Sequence, residues 1–123
     1  MRSLSPVLLV LGLILMLAPG SAEARRKATA DERAEIAARF DAPPKCAKVW
    51  ISTVDHRWAT YAFNGPKYED PDCQPVASNG VTILRYRKGA WRTVTAGSSF
   101  DCPVPKTPAK IVKDLRVKCF EQR

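Results

Sequence analysis

VTILRYRKGAWRTVTA, residues 81–96, decides the fold, because it alternates apolar and polar residues on both sides of a Lys-Gly pair. Two-residue turns between strands need positive φ, which glycine supplies without steric cost, so Lys88-Gly89 reads as the turn of a β-hairpin. That turn sets the register: Tyr86 faces Trp91, Arg85 faces Arg92, Leu84 faces Thr93 and Ile83 faces Val94. Leu84, Tyr86 and Trp91 then share one side. Val81, Ile83, Val94 and Ala96 share the other, with Arg85 and Arg92 nearer the tip.

A second strand pair is expected upstream, in CAKVWISTVDHRWATYAFN (46–64), which is rich in β-branched and aromatic residues and is divided near Asp55 and His56. Between the pairs, GPKYEDPDCQPVASNG (65–80) carries the glycine, proline, Asp and Asn of a loop. Before the first strand, Thr29 with Glu32 forms a capping-box pattern, Glu35 and Arg39 are spaced for an i,i+4 ion pair, and Ile36, Ala37 and Phe40 fall on one face. Pro43 and Pro44 forbid continuation, so a short helix over about 30–41 is predicted. At the other end, Thr107 is placed to cap a helix with Pro108 at its first position, and Pro108, Ile111, Val112, Leu115 and Cys119 make its apolar stripe. The order helix, four strands, helix predicts an α+β domain: one antiparallel four-stranded sheet of two hairpins, with both helices packed on one face.

The first 24 residues stand apart. Arg2 followed by the apolar run Val7–Ala18, the breakers Pro19 and Gly20, and the small residues Ala22 and Ala24 make a secretory signal, cut after Ala24 or Ala22. The run is short for a membrane span, and no later stretch is apolar enough for one. The expected product is a single secreted or extracytoplasmic domain, residues 25–123, whose first residues (25–29, with Arg25, Arg26 and Lys27) form a mobile basic arm. Its four cysteines, Cys46, Cys73, Cys102 and Cys119, are even in number, as two disulfides require. Zinc is disfavoured because no CxxC pair or neighbouring histidine accompanies them. Cys102 and Cys119 flank the last helix and its lead-in, which can fold back along the sheet. That favours Cys102–Cys119, with Cys46–Cys73 as the remaining pair among three possible connectivities.

The succession of an AEI helix (34–36), WISTVD (50–55), WA (58–59), GAW (89–91), GSSFDC (97–102) and DLRVKC (114–119) resembles small exported four-cysteine proteins of actinobacterial type that carry no assigned function. The order of elements is also similar to cystatin-like folds, which implies a helix across an antiparallel sheet. The Gln-x-Val-x-Gly hairpin of cystatins is missing, so the resemblance implies no thiol-protease inhibition.

Chemistry is sparse. His56 lies in a turn beside Asp55, with no nucleophile marked by the sequence. Ser98 and Ser99 follow Gly97 but do not form the GxSxG elbow. Glu69, Asp70 and Asp72 lack the spacing of a calcium loop, and read as a solvated acidic loop able to pair with the basic hairpin. Of Trp50, Trp58 and Trp91, two are expected in the core, and Trp91 is the one expected to be partly exposed. No catalytic group, metal site or cofactor is assigned, and no enzymatic activity is expected.

The net charge of +8 survives a cut after Ala24, since Arg2 and Glu23 then leave together. It favours an acidic envelope polymer, an anionic surface or an acidic secreted protein as partner; nucleic acid is also anionic but is not the expected partner. Arg85, Arg87, Lys88 and Arg92, with Trp91 beside them, are the candidate contact residues, because arginine's planar fork fits carboxylate and phosphate. The competing reading is that the same charges only keep a strand edge from pairing with another sheet. Two alternatives accompany an anion-binding domain: an inhibitor or accessory protein acting through the stapled loop 64–80, and, last, a small hydrolase.

Overall fold

A computed structural model describes residues 24–121 of the 123-residue chain. The expected signal peptide lies outside the described residues, apart from Ala24. Five antiparallel strands run in sequence order across one sheet: β1 (Arg26–Lys27), β2 (Ala47–Ile51), β3 (Trp58–Phe63), β4 (Val81–Arg87) and β5 (Ala90–Gly97). Helix α1 (Ala30–Ala38) joins β1 to β2, and α2 (Ala109–Asp114) follows β5. The chain is thus α+β, with five strands where four were expected.

The extra strand is the arm read as mobile. Arg26 and Lys27 pair with Ile51 and Trp50 on the outer edge of β2, and the Ala28 amide adds a bond to the Val49 carbonyl at 3.2 Å. A strand edge presents unpaired backbone groups that any extended segment can satisfy, whatever its side chains, so basic composition did not reveal the pairing. Arg26 is further held by the Glu32 carboxylate at 2.7 and 2.9 Å. Glu32 also accepts from the Thr29 amide while Thr29 Oγ1 accepts from the Glu32 amide, which completes the expected capping box. Glu35 and Arg39 make no ion pair; the arm, rather than the helix, supplies Glu32 with its cation.

The helices lie on opposite faces of the sheet, not on one. Ile36 and Ala37 of α1 pack with Val49, Ile51, Ala59, Tyr61, Leu84 and Trp91, while Phe40 stacks on Tyr61 with ring centroids 3.9 Å apart. Ile111 and Leu115 pack on the other face with Trp58, Ile83, Phe100 and Val104. Strand side chains alternate between faces, and both sets are apolar here, so both faces need cover.

Two details of the expected layout are corrected. The hairpin keeps Tyr86 against Trp91, Arg85 against Arg92 and Leu84 against Thr93, but Ile83 pairs with Thr95, not Val94. Val94 is the extra residue of a bulge in β5, an irregularity that regular alternation does not predict. The Lys88-Gly89 turn is as expected: both residues, Lys88 (φ 52) and Gly89 (φ 78), are left-handed, as a type I′ turn demands. Second, α2 is short: Pro108 stands at its cap, Thr107 Oγ1 donates to the Pro105 carbonyl instead of capping, and Arg116 turns left-handed (φ 58) just beyond Leu115. Cys119 therefore lies past the helix, half-buried against the second core.

Cys46–Cys73 and Cys102–Cys119 are the two disulfides, in the favoured pairing. The first fixes the loop after β3 to the start of β2; the second ties the segment after β5 to the chain end. Each adds about 3–4 kcal/mol by the loop-entropy model.

Candidate cationic site at the hairpin tip

Arg85, Arg87 and Arg92 are brought together at the end of the β4–β5 hairpin, on the face that carries α2. The register of β3 on β4 sets Trp58 beside Arg85, whose guanidinium carbon lies 5.3 Å from the indole ring centre. Cation and ring attract at this range. Arg92 stands on the other side of Arg85 and donates its Nε to the Arg87 carbonyl at 3.1 Å, which fixes its fork over the tip. Lys106, in the lead-in to α2, closes the fourth side of a cleft of about 260 Å³.

None of these four cations has a carboxylate partner among the described residues. Asp55, Asp70 and Asp72 are engaged elsewhere. Asp55 accepts from the Arg57 amide and, at 3.0 and 2.9 Å, from its guanidinium, and these bonds to Arg57 hold its carboxyl down at about 2. Asp70 and Asp72 clamp Lys45 at 3.0 and 2.8 Å, so the acidic loop pairs there and not with the hairpin as expected. Within the cleft, Arg85 Nε is buried with no hydrogen-bond partner. A desolvated donor on a cation is an unfavourable arrangement.

Other candidate residues do not join the cleft. Lys88 sits exposed in the turn and does not line it. Trp91 lies on the opposite face, 5 % exposed, edge-on to Tyr86 at 5.4 Å. It is a core residue, not the partly exposed one; that residue is Trp50, which is half-buried under the Arg25 guanidinium at 4.0 Å. Alternation alone puts Trp91 across the sheet from Arg92, so the sequence held the information and the charge cluster obscured it. Lys106 was missed because nothing local links the lead-in of α2 to the hairpin tip. His56 is exposed in the β2–β3 turn, beside an Asp55 carboxylate that Arg57 occupies. Among the described residues no group of three or more His, Cys, Asp or Glu could hold a metal ion. No helix among them is long and apolar enough to cross a membrane, and the two disulfides are compatible with an extracytoplasmic location.

The chain matches no family model, no curated protein and no solved structure. The functional reading therefore rests on the site.

Proposed function

We propose that the protein is an exported, non-enzymatic domain that binds an anionic surface polymer or an acidic protein at the cell envelope or beyond it. The observation that carries this reading is the convergence of Arg85, Arg87, Arg92 and Lys106 on one cleft with no carboxylate to neutralise them. Solubility alone requires only dispersed charge. Like charges placed directly across a strand pair, as Arg85 and Arg92 are, cost a fraction of a kcal/mol that a bound anion reverses. Retention on immobilised poly-L-glutamate tests the reading: the protein is held there and passes through immobilised poly-L-lysine. Equal behaviour on both matrices contradicts it.

A second reading, an inhibitor or accessory protein of another secreted protein, is favoured by the loop 64–80. Cys73 staples it to Cys46, and Tyr68 stands 65 % exposed with its ring edge-on to Phe63. A rigid loop presenting an aromatic residue loses little entropy on docking. That reading requires a stoichiometric complex that resists salt and is lost in Tyr68→Ala.

A further inference from the structure

A second, larger groove opens on the same face of the sheet, at the end of the strands away from the hairpin tip. It measures about 370 Å³, within the range of small-molecule sites, about 300–1,000 Å³. Its floor is apolar, made by Trp50, Ala62 and Val81, and Phe120, 62 % exposed, stands at its rim. Four cations, Arg25, Lys48, Arg116 and Lys118, line it without a single acidic side chain.

The charges are placed, not scattered. The Arg25 amide donates to the Asp114 carbonyl at 3.2 Å and one guanidinium nitrogen to the Leu115 carbonyl at 3.4 Å, which lays the fork over Trp50. Its Nε is buried and has no hydrogen-bond partner. Desolvation, and then the neighbouring Arg116 charge, lower the pKa of Arg25, so the charged form is poorly compensated where it stands. Arg116, left-handed (φ 58) just past the end of α2, lines the groove beside it. On the facing wall Gly97 permits a tight turn: a Cβ there would approach the Ser99 carbonyl oxygen at 3.1 Å. That turn sets Ser98 and Ser99 at the groove, where hydroxyls donate to an oxyanion without adding charge.

An apolar floor under unneutralised cations selects for a ligand with both properties. An inorganic anion would leave the floor wet, and a neutral apolar molecule would leave the cations unpaired. We infer that this groove binds a small amphiphilic carboxylate, an apolar body lying over Trp50 and Val81 with its carboxylate between Arg25 and Arg116. The site shares no cation with the hairpin-tip cleft, so either can fail without the other.

Octanoate is a suitable probe, titrated into the intact protein and followed by backbone amide NMR, with octanol, acetate and phosphatidylglycerol vesicles in parallel. The expected result is saturable shifts at the groove's own residues, Arg25, Trp50, Val81, 97–100 and 115–118, with octanol and acetate each bound at least about tenfold more weakly: octanol lacks the hydrogen-bonded charge, worth about 1.5–3 kcal/mol, and acetate lacks the apolar chain that covers Trp50 and Val81. Arg25→Gln combined with Arg116→Gln lowers octanoate affinity by about tenfold or more on the same grounds. Ala62→Phe fills the floor, keeps every charge and abolishes binding; thermal melts establish that each variant is folded. Acetate binding as well as octanoate, octanol binding as well as octanoate, shifts spread over 85–92, or binding to vesicles without binding to octanoate would each overturn the inference.

Discussion

The Asp114 carboxylate accepts the Ser52 hydroxyl at 2.6 Å, joining the end of α2 to the turn that follows β2. Oδ2 also accepts the Thr53 amide at 2.8 Å, and Oδ1 the Thr53 hydroxyl at 3.0 Å. Ser52 Oγ in turn accepts the Val54 and Asp55 amides, both at 3.1 Å. One buried acid thus organises the β2–β3 turn and holds α2 on its face of the sheet. Asp114→Ala removes the acceptor from a buried hydroxyl, and is expected to cost about 1.5–3 kcal/mol, read as a lower urea midpoint with an unchanged slope. Ser52→Ala should cost a comparable amount and, combined with Asp114→Ala, add less than the sum, because the two groups serve one network.

Acid should weaken the fold in a defined window. The side-chain bond to Arg26 and the helix-cap contacts hold Glu32 at about 2, against 4.5, and the Arg57 contacts hold Asp55 at about 2, against 3.8. Burial pushes the Asp114 carboxyl up, but the bonds from Ser52, Thr53 and Val54 outweigh it and leave the group below the usual range. All three bind protons less readily folded than unfolded, so their contribution is complete above the unfolded values and is lost as pH falls through the folded ones. Melting temperature should hold steady from neutrality to about pH 5 and fall between about pH 4.5 and about pH 2.

Trp91 and the arginines should separate stability from binding. Trp91→Phe shrinks a residue packed in the α1-side core and is expected to cost about 1–2 kcal/mol while leaving affinity for polyglutamate unchanged. Arg85→Ser with Arg92→Ser should do the reverse: a stability change within about 0.5 kcal/mol, and weaker binding. Chemical unfolding and calorimetric titration of both variants read the two effects.

The hairpin turn carries removable strain. Lys88 adopts φ 52, which asparagine tolerates better than lysine in a type I′ turn. Lys88→Asn is expected to raise stability by about 0.5 kcal/mol in urea unfolding, and to leave binding nearly intact because Lys88 lies outside the cleft.

How far the sequence could be read depended on the range of the interaction. The β4–β5 register was legible as far as Leu84 because the turn fixes it, and it failed at Ile83, where the Val94 bulge shifts the pairing by one residue. The capping box was legible because its partners are three residues apart. Strand β1 was not, since its pairing with β2 depends on backbone groups and on α1 turning the chain back. The same limit governed the site. Arg85 and Arg92 could be paired from the hairpin alone, but bringing Trp58 beneath Arg85 requires the register across the loop 64–80, whose length does not dictate it. Lys106 and Asp114 reach their partners only through the fold of the chain after β5.

The most direct test of the cationic hairpin tip is the affinity for poly-L-glutamate measured at low and at physiological ionic strength, for the wild type and for Arg85→Ser/Arg92→Ser. Exposed charges are screened beyond a Debye length of about 8 Å at physiological salt. The wild type is expected to bind tightly at low salt and to weaken steeply as salt rises, and the variant to bind weakly with a shallower dependence. Equal affinity and equal salt dependence in the two proteins would contradict the account.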